Sequence, residues 1–370
     1  MANDSALPLT LYGSSISYFT GKLENYFKIK GFPYQLTPLF EPAHEDLIRE
    51  NLGSTQNPAL RLANGTWMSD STPIIGWFEK EYPTPSVLPA EPIQRFFSLL
   101  LEDYADEWLW RPAMHYRWFY TRGARFASTL LAEETNSKAA RHLPQFIKRR
   151  VVTQRQRNGY TSGDGIRVDQ TSGVEAIYHR TLAQLEAIFK TRPFLLGDKP
   201  SLADIGFSGP MFRHFALDPV PADIMRQTAP AVFEWVARLW NTRLETCEGS
   251  LLNGVPDDWG PILNEVGNAY LPYLCANCDA VEAGQERFDA EIDGVQYRGA
   301  RWSHYRVWCL QKLRDHFLEL STLEQAQAKA ILEQHNCWEP LWRHKNLPMK
   351  EGLCSQLPFY VDAKMIDVYK

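Results

Sequence analysis

A serine stands where a helix should begin. In "SSISYFTGKLENYFKIKGFPY", Ser17 precedes a segment in which Phe19, Leu23, Tyr26 and Phe27 recur at i, i+4, i+7 and i+8. That pattern predicts one face of a helix over Tyr18–Lys30, with Gly31 as its stop. A hydroxyl in this place has two uses. It caps the helix by accepting from a backbone N–H, worth about 1 kcal/mol, or it also donates to a reactive anion such as a thiolate. The helix adds free N–H groups and the positive end of its dipole to the second use. A hydrogen bond to a charged sulfur is worth about 1.5–3 kcal/mol. At ~1.36 kcal/mol per unit, that lowers a thiol pKa by roughly one to two units. No general base is needed, because the serine donates its proton and does not attack.

Such a sulfur has to come from outside the region. Cys247, Cys275, Cys278, Cys309, Cys337 and Cys354 all lie in the last third of the chain. That placement suits free thiols in a reducing compartment better than a disulfide framework. Cys275 and Cys278 in "CANC" have metal-type spacing, but no second close pair completes a zinc site, so buried core thiols and no metal are expected. A second stretch with chemical potential is "LEDYADEWLWRPAMHYRWFY". Tyr104, Trp108, Arg111 and His115 recur at i, i+4, i+7 and i+11 and share a helix face, with Pro112 expected to kink it. The stripe is either plain core or, through its mixture of Arg and His with indole, a groove for a planar or anionic electrophile.

The elements that position these residues fall into three regions. "LTLYG" reads as a strand, "PYQLTPLF" as a second, and a polar stretch follows. Asn64–Gly65 joins two short strands, and "DSTPIIGWFEKEYP" is a helix capped by Asp70 or Ser71. This α/β unit spans residues 1–84. The proline-rich "PTPSVLPAEP" marks the boundary. Residues 92–250 carry helical periods, interrupted by "NGYTSGDG", which reads as a flexible loop. "SLAD" at Ser201–Asp204 is a capping-box arrangement. Residues 251–370 contain helices and a hairpin turning at Asp293–Gly294, with a further capping box at Ser321 and Glu324.

The chain has 370 residues, 44% of them hydrophobic, and a net charge of −5. The bulk field therefore attracts neither nucleic acid nor anionic lipid. The basic run "KRRVVTQRQR" (Lys148 to Arg157) reads as a solvated helix face. No apolar run approaches the roughly 20 residues of a membrane span. "MANDSALPLT" shows no secretory signal, and a cytoplasmic protein is expected.

This layout resembles the glutathione S-transferase superfamily: a thioredoxin-like domain, a linker, then an all-helical domain. "NPAL" at Asn57–Leu60 is similar to the family's (V/I)-P-x-L, with a cis proline before a strand. "SDSTPII" resembles its E-S-x-A-I, and "SLAD" its buried capping box. Counted back from "KGFPY", Ser17 falls on the catalytic serine or cysteine position. The resemblance implies glutathione as co-substrate, a small electrophile as its partner, and a homodimer. It implies that Ser17 stabilises the thiolate, with Tyr12 as the alternative donor or else a core strand residue. Asn57 and Pro58 would pair with the ligand's backbone, while Asp70 and Ser71 would hold its γ-glutamyl end. Tyr104, Trp108, Arg111 and His115 would line the second-substrate groove. Asp70 stands in place of the usual Glu or Gln, and Gln56 lies near where a lysine is common. "KLENYFKIKGFPY" also resembles the metaxin and failed-axon-connections groups, which leaves two alternatives: a non-catalytic interaction protein, or a glutathione-dependent lyase or dehalogenase. The last region lies outside the resemblance.

Overall fold

The computed structural model describes residues 6–134 and 142–366. The first region comprises β1 (Leu9–Gly13), α1 (Tyr18–Lys30), β2 (Tyr34–Pro38), α2 (Pro42–Leu52), β3 (Ala59–Arg61), β4 (Trp67–Ser69) and α3 (Ser71–Glu81). Its sheet runs in the order β2-β1-β3-β4, with β1 parallel to β2 and antiparallel to β3. Leu9, Leu11, Leu60 and Met68 share a core with residues of α1 and α3. Tyr12, Ala59 and Trp67 pack with Ile48 and Leu52 of α2 on the other side. This is the thioredoxin-like arrangement expected. Helix α2 was not legible in the sequence, because it buries only Ile48 and Leu52 and its pattern is otherwise polar.

The second region holds α4 (Pro92–Glu107), α5 (Trp110–Phe119), α6 (Thr121–Glu134), α7 (Gln145–Gln156), α8 (Thr171–Phe189), α9 (Leu202–Pro210), α10 (Pro219–Thr228) and α11 (Pro230–Asn241). Every residue of α9 is buried, and its capping box forms as expected between Ser201 and Asp204. At Gly206 a Cβ would lie 2.6 Å from the Cα of Glu102, so glycine lets α9 and α4 approach backbone to backbone. The helix break lies at Trp108–Leu109, one turn before Pro112. Proline has no N–H to offer the Trp108 carbonyl, which accepts from Arg111 at 3.3 Å instead.

The third region comprises α12 (Gly260–Glu265), α13 (Leu271–Glu282), β5 (Phe288–Ile292), β6 (Val295–Ala300), α14 (His304–Leu318), α15 (Thr322–Gln334), α16 (Trp338–Trp342) and α17 (Ala363–Ile366). The β5–β6 turn has φ of 49° at Asp293 and 74° at Gly294, the type I′ signature the Asp-Gly pair predicts. This region is not an appendage. One hydrophobic core runs from Ala6 to Leu341 through all three regions. Trp259, fully buried, donates from Nε1 to the Leu195 carbonyl at 3.1 Å. Gln94 of α4 donates to the carbonyls of Leu252 and Gly254.

The third region also corrects the reading of "NGYTSGDG" as a flexible loop. Residues 157–164 form tight helical turns against β6, where Gly163 and Gly165 accept from the backbone N–H of Arg301 and Arg298, each at 2.9 Å. Glycine-rich composition signals a turn, but the strand that orders it lies far along the chain.

Candidate active site

Ser17 is the N-cap of α1, with φ −77° and ψ 133°, and its Oγ accepts from the Thr20 N–H at 3.3 Å. An accepting hydroxyl keeps its own proton free to donate, and Ser17 is only half-buried. One turn on, the Thr20 hydroxyl donates to Oδ1 of Asn57 at 2.8 Å, which ties α1 to the Asn57–Pro58 bond; that bond is cis, as expected. Gly13 makes room for this contact, since a Cβ there would lie 2.5 Å from Oγ1 of Thr20. Thr20 was missed in the sequence; its one signal was a polar residue three positions after the cap.

The turn before Ser17 is gripped from the helical region. Glu134, at the end of α6, accepts from the hydroxyls of Ser14 and Ser15 and from the Ser15 N–H. Arg213 donates to the Ser15 carbonyl at 2.7 Å, and Arg117 to the Ile16 carbonyl at 2.8 Å. Two guanidinium groups thus flank the turn, with one carboxylate beside it. Tyr12 faces the other way. Its ring stacks on Trp67 at 5.3 Å under α2, which is the core position of the two weighed for it.

Asp70 precedes α3 with φ 74° and ψ 117°, a region non-glycine residues rarely enter. Asp70 is 6% exposed and Ser71 2%. Oδ2 of Asp70 is buried without a hydrogen-bond partner. Burial pushes the carboxyl up to about 7, against the opposing pull of the Tyr305 hydroxyl and the Lys22 ammonium. The cover comes from the third region. The Pro358 carbonyl accepts from the Ser69 N–H at 2.7 Å, and Val361 donates to the Leu52 carbonyl at 2.9 Å. The Tyr360 ring lies over Gly53, 2.4 Å from where a Cβ would be.

A stability consequence follows from Asp70. Its folded-state pKa is raised above the unfolded value of 3.8. The native state therefore holds the extra proton between about pH 4 and pH 7, and stability falls across that window as pH rises. Asp70→Asn removes the charged form. The variant should be more stable than wild type by up to about 4 kcal/mol at pH 8 and equal to it near pH 4, read from urea unfolding midpoints.

The stripe expected to line a second-substrate groove is a correction. Tyr104, Trp108, Arg111 and His115 are each at most 1% exposed. The first three face the C-terminal region. Tyr104 and Trp108 contact Tyr270 and Tyr273 at ring distances of 5.9 and 5.6 Å, and the Arg111 guanidinium lies 3.8 Å from the Tyr273 ring centre. His115 pairs with Glu175 at 2.8 Å, and burial lowers its pKa against the opposing effect of that carboxylate. The residues that meet the serine turn are on a neighbouring face. Met114 and Trp118 pack with Ile16, and Trp110 stacks on Phe19 at 5.5 Å. Sequence periodicity picked out the first stripe and missed the second, because it cannot say which face of the helix meets α1.

Two family models match: the glutathione S-transferase N-terminal domain over residues 11–86 and the glutathione S-transferase C-terminal domain over residues 154–238. The chain belongs to the glutathione S-transferase superfamily. Among solved structures it is similar to the beta-etherase LigF from Sphingobium sp. strain SYK-6, at 21% identity over 62% of this chain and 94% of that one, TM-score 0.44. It is similar also to a glutathione S-transferase from Rhodospirillum rubrum F11, at 18% identity over 68% and 98%, TM-score 0.41. A third is a glutathione S-transferase from Methylobacterium radiotolerans in complex with glutathione sulfonate, at 18% identity over 66% and 99%, TM-score 0.37. No curated protein matches.

Within this glutathione S-transferase frame, Ser17, Asn57, Pro58, Asp70 and Ser71 all fall inside the matched N-terminal domain, while residues after 238 lie beyond both matches. Cys275 and Cys278 are buried on α13, and burial pushes their thiols up to about 11 and about 12. No group of three or more metal-type ligands occurs among the described residues. No helix among them is long and apolar enough to cross a membrane.

Proposed function

We propose that the protein binds glutathione as co-substrate and activates its thiol for attack on a small electrophile, by substitution or addition, as a cytoplasmic homodimer. The observation that carries this reading is the half-buried Ser17 hydroxyl at the amino end of α1, with its proton free and Thr20, one turn on, tied to Asn57. Ser17 and the helix end would favour the thiolate, and the Asn57–Pro58 backbone would pair with the cysteinyl peptide. The unpartnered Oδ2 of Asp70 suits the γ-glutamyl ammonium, and the α3 amino end with Ser71 suits the adjoining carboxylate. The half-buried Trp110, stacked on Phe19, takes over the second-substrate role from the buried stripe. A bound ammonium would hold Asp70 ionised, so glutathione affinity should rise between pH 6 and pH 8.

Calorimetric titration of glutathione into wild type and Asp70→Asn tests this. Loss of one charge-assisted bond predicts at least about tenfold weaker binding in the variant. Equal affinity in the two, or no binding to wild type, contradicts the assignment.

A second reading is favoured by the tail contacts at Ser69 and Leu52 and by the Glu134 carboxylate at the serine turn. These suit a non-catalytic interaction protein that keeps the fold with its γ-glutamyl anchor covered. Turnover of a generic electrophile such as chlorodinitrobenzene separates it from the transferase. A lyase or dehalogenase on the same site is distinguished by substrate screening.

A further inference from the structure

Helices α6 and α7 border an open cavity of about 570 Å³ whose lining includes Arg125, Ser128, Arg149, Arg150, Thr153 and Arg157. Four guanidinium groups, those of Arg125, Arg150 and Arg157 exposed and that of Arg149 half-buried, thus border one space from two helices and the turn after α7. Arg125, Arg149 and Arg150 make no ion pair among the described residues. Arg157 is fixed by a bond from Nε to the Trp118 carbonyl at 2.7 Å, leaving its terminal nitrogens for another acceptor. The sequence holds no acidic residue between Glu134 and Asp164, so α7 lacks the i, i+4 partners that usually quiet such a charge cluster. Arg149 and Arg150 also sit in the amino-terminal half of α7, where the helix dipole opposes positive charge. Within a chain of net charge −5, this is a local conflict that a bound anion resolves.

We propose that this cavity binds a phosphate-bearing ligand carrying more than one negative charge, at a site separate from Ser17. Guanidinium forks match phosphate oxygens two at a time, and the Ser128 and Thr153 hydroxyls supply neutral donors. The phosphate can belong to a soluble molecule or to a lipid headgroup. Phe146 and Val151 of α7 are 64% and 55% exposed beside the cluster, which makes the headgroup source a real arm of the test.

The test uses the full chain. Inorganic tripolyphosphate is titrated by calorimetry at fixed ionic strength, and flotation is measured with phosphatidylcholine vesicles with and without phosphatidylinositol bisphosphate. The Arg149→Gln/Arg150→Gln double variant and an Arg49→Gln control are compared, with circular dichroism confirming that each is folded. Saturable tripolyphosphate binding that weakens at least about tenfold in the double variant and not in the control supports the soluble source. Flotation with the phosphoinositide alone, lost in the double variant, supports the headgroup source. Binding no tighter than that of sulfate with no flotation, or binding unchanged in the folded double variant, overturns the proposal.

Discussion

A chain ending at Ser250 is expected to aggregate and to show no cooperative thermal transition. The C-terminal region covers the outer face of α4: Phe317 packs on Phe96, Tyr270 on Tyr104 and Tyr273 on Trp108. It also satisfies the buried polar groups there. Tyr270 donates to Asp103, whose carboxyl burial pushes up to about 8, and Trp259 occupies the Leu195 carbonyl. Each large apolar side chain returned to water forfeits about 1.5–3 kcal/mol. Three or four such losses match the roughly 5–15 kcal/mol by which a domain is stable at all. Gel filtration and circular dichroism of the truncated chain check this. A monomeric product melting near the full-length temperature would mean that the region is an independent module. Failure to fold makes it a structural part of the fold, so a binding role for it has to be sought with point variants.

Lys22→Met should be the most damaging single substitution in the thioredoxin-like domain. Lys22 is fully buried on α1 and pairs with both Glu102 and Asp106 of α4, and it donates to the Thr72 hydroxyl at 2.9 Å. Burial alone would lower its pKa, but Asp106 and Glu102 outweigh that and hold the ammonium above its ordinary value. Burial and Glu102 push the Asp106 carboxyl upward, against Lys22. Removing the cation leaves two carboxyl groups facing each other out of water, at a cost of about 3–5 kcal/mol. The sign with pH follows. The deficit grows as pH rises and the Asp106 carboxyl, which burial raises and Lys22 no longer opposes, is driven to ionise. Urea unfolding at pH 5 and pH 8 measures it, and the triple replacement Lys22→Met/Glu102→Leu/Asp106→Leu should restore most of the loss. A deficit that does not change with pH would mean that the damage is one of packing alone.

What could be read in the sequence has short reach. The limits of α1, its Ser17 cap and Gly31 stop, the Asn64–Gly65 and Asp293–Gly294 hairpins and both capping boxes each depend on a few adjacent residues. What was illegible depends on partners far along the chain. Tyr104, Trp108, Arg111 and His115 do form one helix face, but whether it lines a groove or a core was decided by α13 and β6. Glu134, Arg117 and Arg213 reach the serine turn from three separate elements, so no local pattern announces them. The cover over Asp70 comes from near Pro358, in a stretch of irregular structure with no period to read. The arginine cavity was half-visible: the charge run was plain, and its convergence with Arg125 on α6 was not.

The most direct measurement is the ionisation of bound glutathione, followed by ultraviolet thiolate absorbance across a pH titration in wild type and Ser17→Ala. A free thiol titrates near about 8.5. Wild type should bring the bound thiol roughly one to two units lower, and Ser17→Ala should return it most of the way while glutathione still binds. A bound thiol with the same pKa in both proteins would contradict the role given to the α1 cap, and with it the proposed chemistry.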